Sequence, residues 1–227
     1  EADYLILQDG NPAKTIFFFP PAVGYAIGFA PLANALTDYR IVGFNFIEQD
    51  TFLKMAEYVQ ALQPEGEIVL SGLSAGGSMC FHVTKALEAQ GRKVKALVLL
   101  DSRRFIKKET LTEQEVQSIA DEYLADPRAQ IYLTSPVIKA AMRKRIEAST
   151  RFIHQLKDDG EINADIYYIS SEVNRNNTER IQAWQEITTK SIFCYEGYGP
   201  HASMLDEPYL KDNVIIYEQV MKQICDL

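Results

Sequence analysis

The sequence specifies an α/β domain: a mostly parallel sheet with helices on both faces. Two observations carry this reading. Short β-branched and aromatic runs alternate with longer stretches of helical period, the rhythm of a parallel sheet built from β-α-β units. The 227 residues, 47% of them apolar, suffice for the two-sided core such a sheet needs, so residues 1–227 are read as one large domain. Tyr4–Leu7 and Lys14–Phe19 flank Asp9-Gly10-Asn11-Pro12, a cluster of turn formers, and are expected to pair as a first hairpin. Phe29–Leu36 reads as helix, Arg40–Phe46 as strand, Thr51–Leu62 as helix and Glu67–Leu70 as strand. A helix from Gly77 then runs out at Gly91, and Lys95–Leu100 follows as strand. The interval from Ser102 to Asn163 breaks the rhythm. It has no convincing strand and carries helical stretches at Glu113–Tyr123 and Val137–Leu156, broken at Asp126-Pro127 and Ser135-Pro136. Beyond it, Ala164–Ile169 and Ser191–Tyr195 read as strands before a last helix.

Between the strand at Leu70 and the helix at Gly77 stands Gly72-Leu73-Ser74-Ala75-Gly76. A G-x-S-x-G in strand–turn–helix context reads as a nucleophile elbow, the turn that lifts a serine hydroxyl above the sheet of an α/β-hydrolase. Its glycines let the turn reach strained dihedrals and let the helix pack close to the strands. The helix N-terminus beneath offers N–H groups to a developing oxyanion. In that fold the chain order is serine, acid, histidine. Of three histidines, His82 lies two turns down the elbow helix and is expected to pack against the sheet. His154 lies in a polar helical stretch and is expected on the solvated surface. Only His201, on a loop after Ser191–Tyr195, satisfies the order. Two acids follow strands in the right interval, Asp101 directly after Leu97–Leu100 and Glu172 after Ser170-Ser171, and either position can serve a histidine.

Composition narrows the classes. With 23 basic against 31 acidic residues the net charge is −8, which disfavours nucleic acid and anionic membrane as partners. No apolar stretch approaches membrane-spanning length, and no signal-peptide pattern opens the sequence. Cys80, Cys194 and Cys225 lack metal-ligand spacing and sit in apolar contexts, so they are read as reduced core thiols of a cytoplasmic protein.

Five blocks in register carry a family resemblance: Phe17–Tyr25 (Phe-Phe-Phe-Pro-Pro-Ala-Val-Gly-Tyr), Ile41–Glu48, Leu62–Gly66, Gly72–Gly77 and Gly197–Leu205 (Gly-Tyr-Gly-Pro-His-Ala-Ser-Met-Leu). Together they resemble the terminal thioesterase domains of bacterial non-ribosomal peptide synthetases, especially those that release lipopeptides as macrolactones. The resemblance spans nearly the whole chain and is weakest in the 102–163 interval, which, as an all-helical insertion between two sheet strands on the side where the triad gathers, reads as a lid. It implies that the acid is Asp101 and that the oxyanion is held by the backbone N–H groups of Ala22 and Ala75. Leu73 departs from the family, whose members usually carry Tyr or His there. The implied chemistry is acyl transfer from the phosphopantetheine of an upstream carrier domain to Ser74, then release by water or by an internal nucleophile. The domain itself is expected to bind no cofactor and no metal and, excised, to be monomeric. The charged run Arg143-Lys144-Arg145 is expected on a solvated helix face. Two alternatives remain: a free-standing editing thioesterase or small-ester esterase with the same triad, and a non-catalytic binding module, which would require a broken triad.

Overall fold

The computed structural model describes residues 2–225. Ile16, Phe17, Phe18 and Phe19 of β2 (Asn11–Phe19) are all fully buried, which requires cover on both faces of the strand. Phe17 and Phe19 enter one layer with Met55 and Val59 of α2 (Thr51–Leu62) and Met79 and Val83 of α3 (Gly76–Ala89). Ile16 and Phe18 enter the other with Leu32 of α1 (Ala30–Ala35) and Tyr217 and Val220 of α8 (Leu210–Cys225). The same alternation recurs in β6 (Asp165–Ser170), where Ile166 and Tyr168 face the first layer and Tyr167 and Ile169 the second. Full burial of each such side chain is worth roughly 1.5–3 kcal/mol, so the two layers hold the sheet. With β4 (Val69–Leu73), β5 (Ala96–Leu100) and β7 (Ile192–Glu196), the strands form one seven-stranded sheet in the order β1-β3-β2-β4-β5-β6-β7. All neighbours pair parallel except β1 (Tyr4–Asp9) with β3 (Tyr39–Phe44). The α/β fold expected from the sequence is the one observed.

The first hairpin is a correction. β1 pairs with β3 and not with β2; β3 lies between them, with Ile6 opposite Val42 and Phe18 opposite Gly43. Ile41–Phe44 are buried and need a hydrogen-bonded partner on each edge, whereas the partly exposed β1 tolerates the sheet edge. Gly10 carries the chain across the start of β3: a Cβ there would stand 2.3 Å from the Tyr39 carbonyl oxygen.

Between β5 and β6 the chain is helical: α4 (Glu113–Ala125), α5 (Pro127–Gln130) and α6 (Pro136–His154). The breaks read from the sequence, at Asp126 and Ser135, are the caps of α5 and α6. Thr112 closes a capping box with Glu115, Asp126 accepts from the Arg128 N–H, and Ser135 accepts from the Ile138 N–H. The ends of the interval belong to the main core, through Phe105, Ile153, Leu156 and Ile162. They are pinned by Asp158, a fully buried carboxylate that accepts from the Phe105 N–H (2.8 Å), from His82 Nε2 (2.9 Å) and from the Ser78 hydroxyl.

Four local expectations need correcting. His82 does not pack on the sheet; its ring stacks on Phe52 of α2 at 4.7 Å and reaches Asp158. His154 is half-buried, its Nδ1 2.8 Å from the Thr150 carbonyl. Cys80 is buried, but Cys194 and Cys225 are exposed, because the apolar faces of β7 and α8 turn inward from them. A helix not read from the sequence, α7 (Thr178–Gln185), inserts Trp184 into the first layer.

Candidate active site

Ser74 follows β4 with φ 55°, in the left-handed region that non-glycine residues rarely occupy. Its N–H donates to the Leu100 carbonyl (2.9 Å), which ties the elbow to the end of β5. The flanking glycines are required by contact. A Cβ on Gly72 would stand 2.3 Å from the Gly76 carbonyl carbon, and one on Gly76 would stand 2.6 Å from the Phe19 carbonyl oxygen. That second approach brings the loop after β2, with Pro20, Pro21 and Ala22, against the elbow. Ala75 is the N-cap residue of α3. Ala75 and Ala22 belong to the same apolar layer beside Ser74. Leu73 is half-buried against the second layer.

Asp101 leaves β5 with φ 48°, its N–H held by the Ile169 carbonyl at 2.8 Å, and is 1% exposed. His201 stands in a short turn after the loop that follows β7. Its Nδ1 lies 2.6 Å from Asp101 Oδ2 and its Nε2 lies 2.9 Å from Ser74 Oγ. The structure thus joins Ser74, His201 and Asp101 in one hydrogen-bonded chain. With Nδ1–H committed to the carboxylate, Nε2 is free to accept the serine proton. Glu172 is exposed and meets the histidine loop through its backbone, donating its N–H to the Gly199 carbonyl (3.1 Å).

Several supporting residues carry no sequence signal. Asp101 also accepts from the Ser171 N–H (2.9 Å) and from the Asn174 amide, at 3.1 Å to Oδ1 and 3.0 Å to Oδ2. Burial pushes its carboxyl pKa up, but the hydrogen bonds from His201, Ser171 and Asn174 outweigh burial and hold it at about 2. Asn213, buried on α8, fastens the histidine loop at both ends. It accepts from the Tyr198 N–H (2.9 Å) and donates to the Tyr198 and Met204 carbonyls (2.9 and 2.8 Å). Such donors and acceptors lie far apart in the chain and form no motif.

The insertion reaches the same loop. Arg128 of α5 donates to the Ala202 carbonyl (2.9 Å) and pairs with Asp206 (2.7 Å). The Arg143–Arg145 run is only partly a solvated face. Arg143 pairs with Asp121 and Glu147, but Arg145 lies over the Tyr25 ring at 5.1 Å, and Lys144 and Arg145 line a cleft of about 400 Å³ with Phe46, Glu48 and Lys54. Among the described residues, no group of His, Cys, Asp and Glu is placed to hold a metal, and no helix is long and apolar enough to cross a membrane.

Residues 14–192 match the thioesterase domain family. The chain is 33% identical over 211 residues to surfactin synthase subunit 3 of Bacillus subtilis (strain 168), covering 92% of this chain and 16% of that protein. It is 29% identical over 202 residues to bacitracin synthase 3 of Bacillus licheniformis, covering 86% of this chain and 3% of that one. The chain thus spans only a small part of these relatives' length. Among solved structures, the thioesterase domain SrfTE, reported for cyclization of the lipopeptide antibiotic surfactin, superposes with a TM-score of 0.86 at 32% identity, covering 96% of this chain and 95% of that one. The Vlm2 thioesterase domain, bound with a dodecadepsipeptide, superposes with a TM-score of 0.77 at 18% identity, covering 96% of this chain and 97% of that one, and shares the fold. The chain belongs to the thioesterase domain family, enzymes of hydrolysis and acyl transfer.

Proposed function

We propose that the chain releases a peptidyl or lipopeptidyl group from the phosphopantetheine thioester of an upstream carrier domain, through an acyl-Ser74 intermediate. The observation that carries this reading is the bridging position of His201, 2.9 Å from Ser74 Oγ and 2.6 Å from Asp101 Oδ2. His201 Nε2 takes the hydroxyl proton as Ser74 Oγ attacks the thioester carbonyl. The backbone N–H groups of Ala22 and Ala75 receive the oxyanion. Collapse expels the pantetheine thiolate, which takes the proton from His201, and leaves the acyl-serine ester. Asp101 stays ionised and steadies the imidazolium throughout. An internal hydroxyl or amine of the acyl chain, activated by His201, then attacks the ester and closes a ring; water in its place gives the linear acid. Macrocyclisation is the favoured outcome, because a nucleophile held near the ester acts at an effective concentration far above that of bulk solvent. The likeness to SrfTE supports this choice. Residues 1–227 are taken as one catalytic domain with a lid at about 102–163. It acts as a monomer in the cytoplasm and binds no cofactor of its own.

Mass spectrometry of the products from a full-length peptidyl thioester carrying an internal hydroxyl or amine tests the reading. The expected main product is one water lighter than the linear acid. Exclusively linear acid would contradict cyclisation, and activity confined to simple esters would identify a free-standing esterase.

A further inference from the structure

Two strand ends meet at Asp101. One is its own, the end of β5; the other is the end of β6, where Ser171, Glu172 and Asn174 stand. The second strand end holds an acid, Glu172, but the chain directs that side chain to solvent. What it turns inward is a set of donors. The Ser171 N–H serves Oδ1, and the Asn174 amide spans both oxygens of the carboxylate. The amide is held for this contact. Its nitrogen lies 3.3 Å from Ser171 Oγ, and the turn closes through Asn174 N–H to the Ser171 carbonyl (3.2 Å) and Asn177 N–H to the Asn174 carbonyl (3.2 Å). Arg175 next to it donates to the Gly197 carbonyl, which ties this turn to the histidine loop.

We propose that Asn174 is a positioning residue for the acyl-transfer reaction: its amide fixes the plane of the Asp101 carboxylate and thereby aims His201 at Ser74. The inference rests on the Ser74–His201–Asp101 mechanism proposed above. The aspartate χ2 torsion is broad and has no sharp preference of its own, so the plane of the carboxylate is set by whatever binds it. Oδ2 serves His201 and Asn174 together; rotation about χ2 in the absence of the amide swings that oxygen away from Nδ1. A neutral amide does this without adding charge, unlike Arg180. The Arg180 guanidinium stands 3.6 Å from Oδ1, donates to the Asp101 backbone carbonyl (3.1 Å) and neighbours the Tyr168 hydroxyl at 3.5 Å. The charged and titratable side chains in contact here are Arg180, beside Oδ1 and the Tyr168 hydroxyl, and His201, which also meets the Ser74 hydroxyl.

Removing the amide has a signature that loosening of the loop lacks. A carboxylate with fewer donors is a stronger base and holds the imidazolium proton more firmly. The acid limb of the kcat/KM profile, which reports the catalytic base of the free enzyme, then moves to higher pH. The test compares the full chain with Asn174→Ala on a peptidyl thioester across pH, with thermal melts alongside. The expected result is a kcat lower by about tenfold, the scale of one hydrogen bond to a charged group, an unchanged KM and an acid limb shifted upward. Should the alanine variant fold poorly, Asn174→Asp keeps the size, replaces the donor with a second negative charge and should move the limb further in the same direction. An acid limb that stays in place or moves down, or a kcat within twofold of wild type, overturns the proposal. Asp101→Asn measured in the same assay separates the two levels. If it is inactive while Asn174→Ala is normal, the triad stands and the positioning role falls. If it is active, the mechanism and the positioning role fall together.

Discussion

The edge of the sheet and the helical insertion above it are held by different forces. Ser74 and Asp101 stand at the ends of β4 and β5, beside Ala75, Leu100 and Ser102, which are at most 5% exposed, and their backbones are tied to Leu100 and Ile169. Within the insertion the apolar cluster is small: Ala120, Leu124 and Ile146 are buried, with Met142, Leu133, Val23 and Tyr25 packed partly against them. Much of the rest is ion pairing at the surface, Arg151 with Glu113 (2.6 Å), Arg143 with Asp121 and Glu147, and Arg128 with Asp126 and Asp206. An exposed pair contributes about 0.2–1 kcal/mol, whereas burying one large apolar side chain contributes about 1.5–3 kcal/mol. A triad tolerates little displacement, because proton transfer needs hydrogen-bond distance. A cover that admits a bulky acyl chain, the role proposed for the insertion, has to be cheap to displace. The difference in packing fits that proposed division of labour.

The largest expected effect lies on the rigid side. Asp101→Asn keeps the shape of the site but withdraws the charge and the correct histidine tautomer, and should lower kcat by roughly 10⁴-fold. Glu172→Gln, at the neighbouring strand end, should change it little. The acid variant also has a stability signature. Asp101 is held at about 2, below the ordinary aspartate value of 3.8, so its ionised form favours the folded state. That contribution is fully present above about pH 4 and is lost as pH falls toward 2. Melting curves at pH 2 and pH 5 should therefore differ less for the asparagine variant than for wild type; an equal or larger difference would place the stabilising carboxylate elsewhere.

Next comes the junction of the two regions. Asp158→Ala leaves the Phe105 N–H, the Ser78 hydroxyl and His82 without their buried acceptor. Losses of this kind cost about 3–5 kcal/mol, which for a domain of this size lowers Tm by roughly 6–20 °C. A melt within a degree of wild type would show that the base of the insertion is held by its apolar contacts alone.

The smallest effect should come from the insertion's outer contact with the site. Arg128→Ala removes the bonds to Ala202 and Asp206 and should cost no more than about 1 kcal/mol of stability. It should nonetheless raise amide exchange across 113–151 and increase the share of linear acid among the products, since a looser cover admits water. Unchanged exchange in that segment would show that Arg128 does not hold it, and the contrast between the two regions would weaken.

What the sequence displayed, and what it did not, follows from how local each feature is. Thr51–Leu62 is a helix with the bounds its periodicity indicated, and the breaks at Asp126 and Ser135 are visible because a cap is a contact across two or three residues. Gly72–Gly77 could be read because close backbone contact leaves only glycine a place. His201 stood out because the other two histidines sat in the wrong elements. The pairing of β1 with β3 was hidden because strand partners are chosen by burial of the whole sheet, and a turn-forming sequence such as Asp9–Pro12 fits a crossing as well as a hairpin. Asn174, Ser171 and Asn213 were invisible for a similar reason. Asn174 meets Asp101 across 73 positions of sequence, and an isolated asparagine in a loop looks the same whether it faces a carboxylate or water.

Reaction with a serine-directed fluorophosphonate, followed by peptide mapping and parallel turnover of the Ser74→Ala variant, tests the central claim most directly. A single label on Ser74 is expected, with an alanine variant that keeps the fold, takes no label and releases no product. A label on another residue, or release by the alanine variant at the wild-type rate, would contradict it.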